Sequence, residues 1–254
     1  MEFSALASGS SGNCFYVENN GNAVLVDAGI SAKQIVKRLF ILRKNPEKIK
    51  AILITHEHSD HVRGADVFAR KFNVPIFATG KTIENCYLCS DEDLINPIRN
   101  NESLSIGGMR ICAFSKSHKA SDPVSYSISN GKKISIITDV GYACENVIAN
   151  VSDSDAMFLE SNYDETMLDN GFYPYYLKKW IKSDEGHLSN RQSALCVLEN
   201  ASSRLKFLIL SHLSQNNNNP EIALKTFNIL KERKKFSPKI FVSERESPSC
   251  LMRI

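Results

Sequence analysis

The chain has 254 residues, a net charge of +3, 43% hydrophobic residues and 23% charged ones. This composition fits an ordinary globular protein that needs no disulfide staples, and the charge is too small to mark a nucleic-acid binder by itself. No apolar stretch nears the roughly 18 residues of a membrane helix, and the start MEFSALASGSSGNC lacks the basic and apolar regions of a secretory signal, so a cytoplasmic protein without a membrane association is expected.

The elements follow in chain order. SGSSGN near the start reads as a tight turn of small residues. NAVLVDAG is the first apolar, β-branched run with the length of a strand, and Ser31 is placed to cap a helix over SAKQIVKRLFIL. KAILITH is the next strand, followed by HEHSDH and a helical pattern over HVRGADVFARKF. Further strands are VPIFATG, RICAFSKSH, KISIITDV, DAMFLES, KFLILSH and KIFVSE. CYLC at 86–89 has neither a partner pair nor a redox context, so its cysteines are expected inside a helix. Ser189 and Gln192 form a capping-box pattern before ALCVLENA, and Pro220 opens EIALKTFNILKE. The KERKK run at 231–235 reads as a solvated helix face. The seven cysteines are scattered, mostly in apolar segments, and read as reduced buried thiols. Strands interleaved with helices indicate a layered α/β or α+β domain spanning 1–254, with no internal boundary or repeat.

The chemistry gathers at strand ends. AILIT runs into His56, with His58, Asp60 and His61 in the turn, so half of the six histidines lie within six positions. RICAFSKS leads to His118, KISIIT to Asp139, AMFL to Glu160 and KFLILS to His212. A single strand-end histidine is commonly structural. Three imidazoles and a carboxylate in one turn are a poor choice for a turn, whereas neutral imidazole and carboxylate are good ligands for zinc, manganese and iron. His56 and His58 suit one ion, Asp60 and His61 a second. His118, Asp139 and His212 are the candidates to complete both shells, and Asp139 can bridge. A water shared by two divalent cations loses a proton near neutral pH and becomes a nucleophile, which points to hydrolysis of an ester, thioester, amide or phosphodiester.

HEHSDH after an apolar strand, in the order Asp27, HEHSDH, His118, Asp139, His212, resembles the motif set of the metallo-β-lactamase fold. The resemblance implies an αββα sandwich, an α+β fold, with a dinuclear site at one edge. It implies that His56, His58 and His118 bind one metal, that Asp60, His61 and His212 bind the other, and that Asp139 bridges. Asp27 would then hold the ligand loop; as a residue it is equally at home as a plain strand-end turn. Ribonuclease Z-like phosphodiesterases carry a Glu and a His that match Glu160 and His187, a pair implied to move a proton to the leaving group, with Asp60 also at the reacting centre. Read singly, Glu160 is an ion-pair partner and His187 an exposed residue beside a helix cap.

LASGSSGNC, ESNYDETML, GHLSN, SHLSQNNNNPEIA and SERESPS together resemble the YycJ/WalJ-type branch of that fold, from end to end of the chain. That branch implies a metal-dependent 5′-to-3′ exonuclease on DNA. One departure is Tyr163, where the branch usually has His; Tyr donates a hydrogen bond but does not shuttle protons near neutral pH. No insertion of β-CASP type separates Asp139 from His212, so substrate would be gripped by the core domain or by a dimer. Ser11 and Asn13, and Ser214, Asn217 and Asn218, are candidate phosphate contacts; a ligand-free hairpin and a turn that fixes the His212 loop are the competing roles. Lys178 and Lys179, with Trp180, lie between Glu160 and His187 and are candidates to hold a strand by charge and stacking. Hydrolysis of RNA or a cyclic phosphate, a thioesterase or lactonase, and a non-catalytic metal-stabilised binding module are the competing functions.

Overall fold

A computed structural model describes residues 1–231 and 238–254 of the chain. They group into two units.

The first unit comprises Met1–Ser115, Ala120–Lys132 and Glu244–Ile254. Strands β1 (Glu2–Ala7), β2 (Cys14–Asn19) and β3 (Asn22–Val26) form an antiparallel meander. The chain then crosses over through α1 (Ala32–Ile41) to β4 (Ile49–Leu53), which pairs parallel to β3 with Val26 opposite Leu53. Parallel pairing requires such a crossover. Ser31 accepts from Gln34 N at the start of α1, and Ile35 and Leu39, four apart, bury its inner face. After β4 come two helices, α2 (Ser59–Val62) and α3 (Ala65–Phe72), where the sequence pattern suggested one. They part at Arg63 and Gly64, whose amide donates to Ala28 O at 2.7 Å. β5 (Ile76–Ala78), α4 (Gly80–Asn85) and β6 (Ile95–Pro97) complete the parallel edge. A second, antiparallel set follows: β7 (Ser103–Ile106), β8 (Met109–Ser115) and β9 (Val124–Asn130).

The expectation for CYLC is corrected. Helix α4 ends at Asn85, Cys86 is its extended C-cap, and Cys89 is buried in the following loop. All seven cysteines are free thiols; Cys14, Cys89 and Cys196 are buried, but Cys250 is exposed.

The second unit comprises Lys116–Lys119 and Lys133–Ser243. β10 (Lys132–Ile137), apart from its first residue, leads through α5 (Glu145–Asp153) to β11 (Ala156–Glu160). Two short helices, α6 (Glu165–Asn170) and α7 (Tyr175–Ile181), precede α8 (Asn190–Asn200). The capping box of Ser189 and Gln192 is formed at the start of α8. β12 (Phe207–Ser211), α9 (Pro220–Lys231) and β13 (Lys239–Val242) follow. β10 to β13 are parallel neighbours in chain order, and β11 is buried along its whole length, as its unbroken apolar run requires. β14 (Met252–Arg253) belongs to the first unit, paired to β1. No helix among the described residues is long and apolar enough to cross a membrane. Beyond the backbone of Lys231, the KERKK run lies outside the described residues.

Candidate metal centre

In the first unit the parallel register brings the ends of β3 and β4 level, so Asp27 and Thr55 leave the sheet side by side. Asp27 has a left-handed backbone, φ 60°, and is fully buried. Its Oδ1 accepts from Thr55 N at 2.8 Å and Thr55 Oγ1 at 3.0 Å, and its Oδ2 lies 2.7 Å from His61 Nδ1. The Thr55 hydroxyl gives its single hydrogen to Asp27 and so accepts from His56 Nδ1, 2.9 Å away. This relay leaves His56 and His61 each with Nε2 carrying the lone pair. His56 Nε2 and His58 Nδ1 are 3.0 Å apart, close to the separation of two ligands that share an ion at about 2.0–2.1 Å. Asp60 Oδ2 and His61 Nε2 are 3.5 Å apart. Glu57, between His56 and His58, turns away and accepts from Ser121 N at 2.7 Å.

The ligand turn is clamped from below. Asn13 N donates to Asp60 O and Gly29 N to Asn13 O, both at 2.8 Å. A Cβ on Gly29 would stand 1.6 Å from Asp60 O, so only glycine fits there. Asn13 is fully buried, and its Nδ2 donates to Asp60 Oδ2 at 3.3 Å and meets His61 Nε2 at 3.2 Å. It orients these two side chains, whereas Ser11 is exposed and offers its carbonyl to Arg63 at 3.2 Å.

In the second unit Glu160 ends β11, while Asp139 and His212 follow β10 and β12 in left-handed conformations, both at φ 56°. Glu160 is fully buried and organises this edge. Its Oε1 faces Asp139 N at 3.1 Å, His187 Nδ1 at 2.9 Å and His212 Nδ1 at 2.8 Å. Its Oε2 accepts from Val140 N at 2.8 Å and Leu188 N at 3.1 Å. Burial raises its carboxyl, but His187 and His212, by charge and hydrogen bond, outweigh this and hold it below the usual range. An ionised carboxylate only accepts, so both imidazoles donate from Nδ1. Asp139, Glu160, His187 and His212 present ligand atoms within 4.8 Å of one another. Five donors already occupy Glu160, which makes it a positioning residue; Asp139 and His212 are the ligand candidates.

His118 is held by Gly186 O, 3.1 Å from its Nδ1, with Nε2 3.8 Å from Asp139 Oδ1. Burial pushes His118 down to about 3, against the attraction of Asp139, so its ring is neutral at physiological pH. The ring of His187 packs edge-on against Trp180 at 5.7 Å.

The remaining candidates have other duties. Asn217 and Asn218 are buried within the His212 loop: Asn217 O accepts from Asp164 N at 2.8 Å, and Asn218 Nδ2 donates to Ser161 O and Asn162 O at 2.8 and 3.0 Å. Ser214 Oγ accepts from Asn217 N at 3.3 Å. These three brace the loop. Tyr163 is buried with Leu168 and Ile181, and its backbone bridges to Ser189. It fills a small core under α6 and α7. Thr55 and Asn162 were absent from the sequence reading. Asn162 Nδ2 donates to His212 O at 2.8 Å. Thr55 directly precedes His56 and Asn162 stands two residues after Glu160, and that nearness was the available signal.

Within each unit imidazoles of fixed orientation stand beside a carboxylate, Asp60 in the first and Asp139 in the second, and such donors suit a divalent ion.

A beta-lactamase superfamily domain matches residues 22–212. Exodeoxyribonuclease WalJ of Streptococcus pneumoniae serotype 2 is 39% identical over 229 residues, 88% of this chain and 85% of that protein. Exodeoxyribonuclease YycJ of Bacillus anthracis is 35% identical over 245 residues, 93% of this chain and 91% of that protein. Among solved structures, the metallo-beta-lactamase fold protein YhfI from Bacillus subtilis matches with a TM-score of 0.73 at 14% identity, over 98% of both chains. The expected α+β fold class is thereby borne out. The chain belongs to the beta-lactamase superfamily, alongside WalJ and YycJ.

Proposed function

We propose that this protein is a metal-dependent 5′-to-3′ exonuclease on DNA, working as one catalytic domain over 1–254. The observation that carries the reading is the Glu160–His187 pair beside Asp139 and His212, in a chain 35–39% identical to two exodeoxyribonucleases over most of its length. Thioester and lactone hydrolysis need no such paired acid.

His56, His58 and His118 would hold one divalent ion, Asp60, His61 and His212 the other, with Asp139 shared. Zinc, manganese and iron all suit these donors. When bound, the ions supply Lewis acidity toward a phosphate oxygen and toward water. The chain's own residues do the rest. Asp27, through Thr55, fixes the rings of His56 and His61. Glu160 accepts a hydrogen bond from His187 Nδ1, which turns Nε2 away from Glu160; the doubly protonated ring gives its Nε2 proton to the departing 3′ oxygen and is left neutral, protonated at Nδ1. The same carboxylate stabilises the charge that His187 carries when doubly protonated.

The test uses a DNA duplex with one 5′-phosphorylated, labelled strand, incubated with Mn²⁺, with Zn²⁺ or with chelator. Stepwise release of mononucleotides from the 5′ end, with metal only and lost in Asp139→Ala, supports the reading. Cleavage of RNA or a cyclic phosphate instead would overturn it.

A further inference from the structure

Three large aromatic side chains crowd one short exposed stretch. Phe172 is fully exposed, at 107%, and Tyr175 and Tyr176 are 80% and 75% exposed. Isolated exposed apolar residues are normal, but a cluster marks an interaction surface. The cluster is not a frayed edge of the core. Beneath it, Tyr163, Leu168 and Ile181 form a small buried cluster that anchors α6 and α7. The aromatics are therefore held out into solvent by a packed base.

The same helix is basic. Tyr175, Lys178, Lys179, Lys182, Asp169 and Ser183 line an open groove of about 600 Å³, within the range of ligand sites. Lys182 pairs with the Asp169 carboxylate, while Lys178 donates to the Asp169 backbone carbonyl at 2.8 Å. Lys179 is exposed. Trp180, the aromatic singled out in the sequence, is instead half-buried against His187.

We propose that α6 and α7 form a platform for a single strand of DNA, its bases stacked on Phe172, Tyr175 and Tyr176 and its phosphates along Lys178 and Lys179. Aromatic faces attract unstacked bases, and lysines attract the backbone; a duplex offers the second but hides the first. The platform is joined to the site without slack. His187 N donates to Ile181 O at 2.9 Å, and a Cβ on Gly186 would stand 2.2 Å from that carbonyl. A strand on α7 is thus registered to His187. This assignment rests on the nuclease reading and adds that one strand of the substrate is held on this face, apart from its complement.

The full chain, kept in chelator, is titrated into a fluorescent oligo(dT) of roughly 12 nucleotides, its RNA counterpart and a duplex, with anisotropy as readout. Tyr175→Ala/Tyr176→Ala and Phe172→Ala should each weaken oligo(dT) binding about tenfold. Lys179→Ala should flatten the salt slope by about 0.7. Thermal melting checks that the variants stay folded. Unchanged oligo(dT) affinity in both aromatic variants, or tighter binding of duplex than of single strand, would overturn the platform. Tighter RNA binding lost in the same variants would overturn its assignment to DNA. Wild-type hydrolysis of bis(p-nitrophenyl) phosphate with Mn²⁺ tests the underlying phosphodiesterase reading separately, since that small diester needs no platform.

Discussion

Glu160 Oε1 lies 2.8 Å from His212 Nδ1 and 2.9 Å from His187 Nδ1, so one buried oxygen sets the tautomer of two rings with different duties. Replacing it with an amide confronts donors with a donor. Glu160→Gln should lower both metal affinity and kcat, by about 10- to 100-fold. Metal content by emission spectroscopy, set beside turnover, checks both. A variant with full metal and full turnover would remove Glu160 from its positioning role.

In the proposed reading, His187 serves the leaving group and holds no metal. His187→Ala should cut kcat on DNA by about 10²- to 10⁴-fold, with bound metal unchanged. A p-nitrophenyl diester, whose leaving group needs no acid, should suffer far less. Equal losses on both substrates would argue against proton donation.

Thr55 carries the link from Asp27 to His56. Thr55→Val keeps the shape but leaves the His56 Nδ1–H and the Asp27 carboxylate each short of a partner. A loss of about 1–3 kcal/mol in stability is expected, with weaker metal binding. Urea unfolding in chelator and a competition titration with a metal dye measure the two effects.

The pH dependence of the chelated protein follows from His118. Folded, its ring takes a proton only near 3; unfolded, near 6.5. Between these values the unfolded chain binds more protons. Its contribution is therefore complete above about pH 6.5 and is lost as pH falls toward 3. Urea midpoints should drop between pH 7 and pH 5, and drop less in His118→Asn. Parallel curves for the two proteins would exclude this histidine as the source.

The ligand turn depends on one close contact. Gly29→Ala drives a methyl group into Asp60 O, and a backbone cannot yield as a side chain does. A loss of about 3 kcal/mol or more is expected, or no soluble protein. Wild-type stability in this variant would show that the turn is looser than described.

The apolar runs that became β3, β4, β8 and β10 to β13 were readable because buried parallel strands and strand cores carry unbroken hydrophobic sequence. β9 escaped, since VSYSISN buries Ser125 and Ser127 along with its apolar residues and shows no contrast between faces. The ligand histidines were legible as a crowd. Their supports were not: Thr55, Asn162 and the buried role of Asn13 depend on which strand ends come level, and that is decided by register. The aromatic platform was missed for the opposite reason. Phe172, Tyr175 and Tyr176 look like core residues in sequence, and only their exposure separates them from Trp180.

Asp27, Asp139 and His212 leave their strands in the left-handed region, where a side chain costs about 1–3 kcal/mol and glycine almost nothing. Selection for heat tolerance alone would therefore pull Asp139 toward glycine, whereas at Asp27 and His212 the buried bonds to Thr55, His61 and Glu160 offset the cost. A library screened for survival at high temperature, without a nuclease assay, should enrich glycine at Asp139 and not at the other two positions.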